Sequence, residues 1–550
     1  MSVVLGINAV FHDPAAALVV DGVTVAAAEE ERFNRRKHGH DNVPFAAWEV
    51  PEKAATWCLS VAGIGPEDLD AVAYSYDPAL APSIEGLSLD RVMEDGWEPM
   101  RTLYAQRAPL FLRTALPGLD PGVVRFVPHH HAHAASAYLA NPARDCSVMT
   151  LDGRGERTSY LAGRVRGGSL EVLQEQALPH SLGLLYEEVT EHLGFRRSSD
   201  EYKVMALASY GTPRWLDEFR RLVTTDGQGG FRIEPVEWGA YVKRGAGAKD
   251  EVDPDSADLA STVQIRLQEV LLELASWLHA QTGDRVLTLA GGVALNCVAN
   301  SVLWRDSPFE EIWVQPASGD SGTALGAAMY VAHELGDDVQ PMPGAALGRS
   351  WSDDELEAWL QRARVPYTRP DDIAEEVAQV LADDGVVAWF QGRAEYGPRA
   401  LGHRSLLAHP GFEKNLERMN EVKGREQFRP VAPMVLADRA EEIFTGGPIP
   451  SPYMLFVHDV KPEWRDRIPV VTHVDGTARI QTVHPETEPL MHRTIARFAE
   501  KTGVPVVVNT SLNTAGRPIV DDPRDALECF GSGPVDLLAI GPFAVRRHDL

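Results

Sequence analysis

The chain opens Val3-Val4-Leu5-Gly6-Ile7-Asn8, turns through Ala9-Val10-Phe11-His12-Asp13-Pro14, runs on as Ala15-Ala16-Ala17-Leu18-Val19-Val20, turns at Asp21-Gly22 and returns along Val23-Thr24-Val25-Ala26-Ala27-Ala28. Three apolar runs of strand length separated by turn residues predict a three-stranded meander. Asp-Gly between apolar runs is its strongest hairpin signal, because a tight turn of that kind needs positive φ at both central residues. The first turn is polar and carries His12.

Around this opening, composition sets bounds. A length of 550 residues predicts two to four domains, each able to bury a core. Apolar residues at 44% and charged residues at 24% are ordinary for a globular protein. The net charge of −27 argues against nucleic-acid binding through a general surface field, so a phosphate would need a local basic pocket. Cys58, Cys146, Cys297 and Cys529 form no C-x-x-C pair. That spacing predicts neither a disulfide framework nor a zinc finger, and it suits a reducing cytoplasm. Neither a signal peptide nor a transmembrane helix is expected, since the start lacks a basic n-region and no apolar run reaches about 18 residues.

A second decisive stretch is Pro128-His129-His130-His131-Ala132-His133-Ala134-Ala135. Pro128 suits a first helical turn, where its missing N–H costs nothing. A helix starting there places His129 and His133 at i and i+4 on one face, a spacing at which two imidazoles can grip one divalent metal. His130 and His131 then point elsewhere. A polar helix start with solvated histidines is the plainer reading of the cluster.

Acids and glycines recur at strand ends. Ser147–Leu151 reads as a buried strand ending in Asp152-Gly153-Arg154-Gly155-Glu156, a way to aim a carboxylate at a cleft. Leu161–Val165 and Leu170–Leu173 pair as a hairpin. Lys203 opens a buried-looking helix, where a snorkelling lysine is the bland alternative. Val286–Ala290 leads through Gly291-Gly292 toward Asn296, and main-chain N–H groups at such a junction can bind phosphate. Asp320 follows another strand and precedes a small-residue helix, where a simple N-cap is the competing role.

Gln340–Gly348 has linker composition, which puts a domain boundary near residue 348. Beyond it, Arg393, Arg399 and Arg404 crowd a glycine-rich stretch, and Lys423, Arg425 and Arg429 follow. Arginine forks suit phosphate or carboxylate oxygens, while structural arginines tied to carboxylates are the alternative. Val471–Val483 has strand alternation around Asp475-Gly476, with Arg479 and Gln481 on one face. Val504–Val508 is a buried strand leading to Asn509, Ser511 and Asn513, which could hydrogen-bond a ligand. No internal repeat is visible.

Taken together, His12–Ala17, Glu29–His38, His130–Ala134, Asp152–Glu156, Gly291–Asn296, Gly319–Gly322, Gly392–Ser405, Lys423–Pro433, Asp475–Val483 and Val508–Asn513 resemble the NodU-type carbamoyltransferases. That family includes the O-carbamoyltransferases of nodulation factors and of antibiotics such as tobramycin, novobiocin and geldanamycin. The phrases stand in family order and cover nearly the whole chain. The resemblance implies an α/β protein of two parts. Residues 1–348 are expected to form an actin-like (ASKHA, TsaD-like) domain, to which the opening meander is also similar. Residues 349–550 are expected to form a YrdC-like α/β domain. It implies a divalent metal, Fe²⁺, Zn²⁺ or Mn²⁺, on His129, His133, Asp152 and Asp320. It implies an N-terminal nucleotide site at Gly153, Gly155, Lys203, Gly291, Gly292 and Asn296. ATP with Mg²⁺ and carbamoyl phosphate would bind Arg393, Arg399, Arg404, Lys423, Arg425, Arg429, Arg479, Asn509, Ser511 and Asn513.

The implied reaction makes carbamoyl adenylate and transfers its carbamoyl group to a hydroxyl of a small natural product, as in antibiotic or glycoside tailoring. His12 is the expected proton acceptor and Lys37 the holder of the carbamoyl oxygen. A cytoplasmic monomer or homodimer, with no nucleic-acid or membrane partner, completes the expectation. Tyr202 and Ala206 stand where the family usually has glycine, and Ser209 where it has proline, which implies a reshaped pocket around Lys203. An actin-fold sugar kinase and a non-catalytic metal or nucleotide sensor are the competing readings. Such kinases hold Mg²⁺ mainly through oxygen ligands, which the histidine pair does not supply.

Overall fold

The opening meander is present in the computed structural model, which describes residues 2–39, 49–83, 98–247, 251–514 and 516–547. Strands β1 (Val3–Asn8), β2 (Ala15–Val20) and β3 (Val23–Glu29) pair antiparallel in sequence. Asp21 and Gly22 both have positive φ, 52° and 76°, as the hairpin turn requires. Strands β4 (Ala71–Tyr74) and β5 (Val124–Phe126) then add in parallel beyond β1, giving the order β3-β2-β1-β4-β5.

A second sheet repeats this plan. Strands β6 (Cys146–Leu151), β7 (Thr158–Arg166) and β8 (Ser169–Ala177) form another antiparallel meander. After a small ribbon of β9 (Val223–Thr225) and β10 (Phe231–Ile233), strands β11 (Val286–Ala290) and β12 (Glu311–Val314) add in parallel beside β6. The order β8-β7-β6-β11-β12 is that of the first sheet. Two such sheets in one unit are the actin-like layout, so a repeat does exist. It lies in strand order, where no residue pattern announces it.

Two helices fill the space between the sheets. Helix Ser321–Glu334 packs on β1 and β2, helix His129–Tyr138 packs on β6, β7 and β11, and the two helices pack on each other. Their approach depends on small residues. A Cβ on Gly6 would lie 1.8 Å from the Ala324 carbonyl oxygen, and one on Gly326 would lie 1.8 Å from that of Ala132. Backbone contact this close leaves no room for any side chain.

The chain divides into two compact units, Met1–Glu201 with Pro213–Gly245 and Thr262–Pro343, and Tyr202–Thr212 with Ala246–Ser261 and Gly344–Leu550. The second is an α/β unit of mixed strands. Its strands are β13 (Val387–Phe390), β14 (Arg404–Ala408), β15 (Ala432–Leu436), β16 (Phe444–Thr445), β17 (His458–Val460), β18 (Thr477–Ala478), β19 (Gln481–Val483), β20 (Val506–Ser511), β21 (Leu537–Ile540) and β22 (Phe543–Arg546). Seven of them form the sheet β19-β15-β20-β14-β13-β21-β22, and β16-β17-β18 form a small second sheet. Helices Ile373–Ala382 and Pro489–Thr502 pack together beside a core that includes Trp389, Phe498, Phe530 and Phe543.

The alternation expected across Val471–Val483 is not one hairpin. Pro469–Val471 is a 3₁₀ turn, Thr477–Ala478 pairs with β17, and Gln481–Val483 joins the large sheet beside β15. The Asp475-Gly476 turn closes locally, the His473 N–H donating to the Thr477 carbonyl at 2.7 Å, and the chain then changes sheets.

Candidate active site

Pro128 is the N-cap of helix His129–Tyr138, so His129 and His133 share a face as their spacing predicts. Asp152 stands one residue beyond β6 and Asp320 at the start of helix Ser321–Glu334. These four converge: each offers a ligand atom, and all four atoms lie within 4.8 Å of one another. His129 Nε2 is 3.5 Å from Asp152 and 3.6 Å from Asp320, and His133 Nε2 is 3.9 and 3.5 Å from them. All four residues are buried.

Asp320 occupies the N-cap position without capping. Its φ is −58°, and its side chain accepts no helix N–H. Both of its carboxylate oxygens, with Nε2 of His129 and of His133, are buried without a hydrogen-bond partner. Orphaned buried polar atoms of both signs of chemistry are costly unless something joins them. Two imidazole nitrogens and two carboxylates at this spacing fit a divalent cation. Burial pushes the His129 imidazole down, but Asp152 and Asp320 hold it up, to about 10. Burial likewise pushes Asp152 up, and His129 and His133 hold it well below the usual carboxylate range. The cavity is therefore built to stabilise positive charge.

The surroundings fix these side chains. His129 Nδ1 donates to the Ser75 carbonyl at 3.2 Å, which aims Nε2 into the cluster. Glu156 accepts the His129 backbone N–H at 2.9 Å and that of Asp77 at 2.8 Å, tying the start of the histidine helix to the loop that carries Asp152. The Thr323 hydroxyl donates to the Asp320 carbonyl at 2.6 Å and lies 2.8 Å from Ser75 Oγ. Ser75, Glu156 and Thr323 were not among the residues expected from sequence; Glu156 lies inside a quoted motif, and the other two carry no local signal. His130 is buried beside Thr158 and pushed down to about 3 by burial and then by His129, so it stays neutral.

The glycine pair serves the same cluster. Gly291 has φ +90°, and a Cβ there would lie 2.1 Å from the Leu151 carbonyl oxygen. The Gly292 N–H donates to Asp152 Oδ1 at 2.9 Å, leaving Oδ2 for the histidines. Asn296 caps helix Cys297–Asp306 and forms a reciprocal amide pair with Gln264. The Gly155 N–H donates to the Thr158 carbonyl, and Gly153 lies beside Glu187.

His12 approaches from the first turn, its Nε2 3.8 Å from Asp320 and its Nδ1 2.9 Å from Asp13. Burial pushes its imidazole down, and Asp320 and then Asp13 hold it well above its ordinary value. Since Asp320 is the leading upward pull, a cation on that carboxylate would remove it. Lys37 lies half-buried in the 3₁₀ turn Lys37–Gly39. The segment before it is not a solvated helix: Glu29, Glu30 and Arg32 are buried. Asp13, Glu31 and His38 also offer atoms within 4.8 Å of one another, but Asp13 and His38 already bond at 2.6 Å and Glu31 accepts the His38 N–H.

In the second unit the basic residues separate into two kinds. Arg404 is fully buried, donates to the carbonyls of Gln391, Gly392, His403 and Arg349, and stacks on Phe390. Arg393 donates to the carbonyls of Gly348 and Leu347, and Asn509 to that of Ala400. The main-chain N–H groups of Leu401, His403 and Arg404 all donate to Glu395. That turn therefore binds its own carboxylate. Arg399 is half-buried in the same loop.

The other kind gathers elsewhere. Burial and then Arg429 and Arg479 push the Arg425 guanidinium down to about 9. Arg425 Nη2 and Arg479 Nε are buried without hydrogen-bond partners. Arg429 stacks over Tyr202 at 4.6 Å, and Lys203 pairs with Glu426 at 2.9 Å. Lys203 thus lies beside this cluster of the second unit. Lys423 donates to the Ser511 carbonyl and hydroxyl at 2.6 Å and to Asn513. Three neighbouring guanidiniums, two of them with orphaned donors, call for an anion.

Comparison with known proteins gives the family. The family model for the carbamoyltransferase N-terminus matches residues 3–83 and 116–329, and that for the carbamoyltransferase C-terminus matches 378–547. An uncharacterised protein of Synechocystis sp. is 36% identical over all of this chain and 97% of its own length. Nodulation protein NolNO of Sinorhizobium fredii is 36% identical, covering 98% of this chain and 80% of that protein, and nodulation protein U of Rhizobium tropici is 31% identical, covering 94% and 92%. Among solved structures, HypF of T. kodakarensis overlays 61% of this chain and 48% of its own at TM-score 0.38 and 14% identity. The ROK hexokinase of Thermus thermophilus overlays 60% and 99% at TM-score 0.31 and 16% identity. Overlays at those scores carry no weight beside the strand orders. The chain belongs to the carbamoyltransferase family, of the NodU type, and is a carbamoyl-transferring enzyme. Among the described residues, no helix is long and apolar enough to cross a membrane.

Proposed function

We propose that this enzyme is an ATP-dependent O-carbamoyltransferase that activates carbamoyl phosphate as carbamoyl adenylate and delivers the carbamoyl group to a hydroxyl of a small natural product. The observation that carries this reading is the presence in one chain of two sites of opposite character. One is a buried two-histidine, two-aspartate cluster with orphaned ligand atoms, and the other is an arginine cluster with orphaned donors.

On the second unit, Arg425, Arg429 and Arg479 bind phosphate oxygens of ATP, carried with Mg²⁺, and Lys423 with Ser511 and Asn513 orients the smaller substrate. Carbamoyl phosphate and one water give carbamate and phosphate. A carbamate oxygen then attacks the α-phosphorus of ATP and pyrophosphate leaves. On the first unit, His12 takes the acceptor proton as the hydroxyl oxygen bonds the carbamoyl carbon and AMP departs, while Lys37 faces the oxygen on which charge develops. His129, His133, Asp152 and Asp320 hold a divalent metal, Fe²⁺, Zn²⁺ or Mn²⁺, which when bound supplies charge neutralisation and polarisation of the mixed anhydride. The protein works in the cytoplasm, in keeping with four cysteines that are all buried and form no C-x-x-C pair.

The test is a mass-spectrometric screen of hydroxylated acceptors with ATP and carbamoyl phosphate. Carbamoylated product with stoichiometric AMP and pyrophosphate is expected. ADP with a phosphorylated acceptor would replace this reading with a sugar kinase.

A further inference from the structure

His12 and Lys37 stand on turns distant in sequence, and each is followed by the residue that joins them. Asp13 Oδ1 accepts from His38 Nδ1 at 2.6 Å, and the Asp13 N–H donates to the His38 carbonyl at 3.3 Å. The other Asp13 oxygen, Oδ2, accepts from His12 Nδ1 at 2.9 Å. One carboxylate thus bridges two imidazoles. Asn8 braces the turn from below, donating to the carbonyls of His12 and Asp13 at 2.9 Å each. The His38 N–H is held in turn by Glu31 at 2.8 Å. Asp13 and His38 both sit in left-handed backbone, at φ 52° and 58°, a conformation that a non-glycine residue keeps only where its neighbours over-determine it.

A carboxylate only accepts, so each Nδ1 facing it carries the hydrogen. With Nδ1 of His12 committed to Asp13, Nε2 is the ring atom turned toward Asp320, 3.8 Å away. We infer that Asp13 and His38 are positioning residues, which hold the His12 ring with Nδ1 on Asp13 and Nε2 facing the acceptor and lock the Lys37 turn to the His12 turn. This deepens the carbamoyl-transfer reading above and rests on it for the role of His12. An orienting carboxylate behind a histidine base is worth several orders of magnitude in turnover where it has been removed. A carboxylate that merely closed a turn would alter stability and leave the chemical step alone.

The experiment has two arms on the full chain loaded with zinc. In the first, ¹⁵N-histidine NMR reads the His12 ring, assigned with His12→Gln. Hydrogen on Nδ1 is expected, and an Nδ1 without hydrogen in the parent protein overturns the inference whatever the activity. In the second arm, Asp13→Asn presents an amide that favours the other tautomer. Carbamoyl transfer is expected to fall about 10²–10⁴-fold in kcat, with KM for the acceptor and acceptor-independent pyrophosphate release unchanged. His38→Gln is expected to show a smaller fall of the same kind. Full transfer by Asp13→Asn, or equal losses in transfer and pyrophosphate release, overturns the inference. A parent protein that carbamoylates no acceptor would instead remove the proposed function, and the NMR arm would still decide whether Nδ1 of His12 is held by Asp13.

Discussion

Gly326 faces the carbonyl oxygen of Ala132 so closely that a Cβ would lie 1.8 Å from it, and this contact sets the distance between the helix led by Asp320 and the helix that carries His129 and His133. Gly326→Ala should therefore act on the cluster from six residues past Asp320. Overpacking of this kind costs about 1–3 kcal/mol or more. We expect a melting temperature lower by several degrees and a reduced metal content by elemental analysis. An alanine variant that keeps both would show the helices free to separate.

Asp320→Asn keeps the size of the side chain and removes its charge. Ligands that bind only the folded state raise its stability by mass action. Adding zinc or manganese should raise the melting temperature of the parent protein and leave that of Asp320→Asn nearly unmoved. Carbamoyl transfer should be lost, while pyrophosphate release on the second unit continues. An equal thermal response in both proteins would place the metal elsewhere.

Arg479→Gln should separate stability from binding. Arg425, Arg429 and Arg479 repel one another, so loss of one charge should leave the ligand-free melting temperature unchanged or higher. A hydrogen bond to a charged group is worth about 1.5–3 kcal/mol. Its loss should lower kcat/KM for ATP in pyrophosphate release about 10–100-fold. A variant with unaltered kinetics would remove Arg479 from the nucleotide site.

Glu30 gives a pH dependence of stability. Burial pushes its carboxyl up to about 7, against the N–H groups of Ala54 and Lys53 that it accepts. Between about pH 4.5 and 7 the folded chain keeps a proton that the unfolded chain has released, so this group's contribution falls as pH rises through that window. The loss reaches about 3 kcal/mol at most. Glu30→Gln retains an acceptor and cannot ionise. Denaturant melts should show the variant gaining on the parent protein from pH 5 to pH 8, and a gap constant with pH would show that Glu30 is not strained.

The histidine pair was legible because helical spacing alone puts positions 129 and 133 together. Asp152 and Asp320 were legible as strand-end acids, but their convergence came only from the family resemblance. Local pattern could not tell that Gly292 gives its N–H to Asp152 instead of a phosphate, because that bond joins β11 to β6 across the sheet. Arginine content misled for the same reason. Arg404 and Arg425 look alike in sequence, yet main-chain carbonyls surround one and other guanidiniums press on the other. Ser75 and Glu156 went unread because their bonds reach residues distant in the chain, and Asn8 because an asparagine that donates to the two carbonyls of the next turn looks like any other residue at a strand end. The alternation across Val471–Val483 was real, but its flanks serve different sheets.

The four side chains of the His–Asp cluster come from the two central helices and the end of β6, and the last of them belongs to the closing helix of the first unit. A chain that stops before Asp320 carries both imidazoles and only one carboxylate of the cluster. Only when Ser321–Glu334 has left the ribosome and seated against β1 does the fourth ligand arrive. Any ion that this cluster takes can therefore meet all four side chains only once that helix is in place.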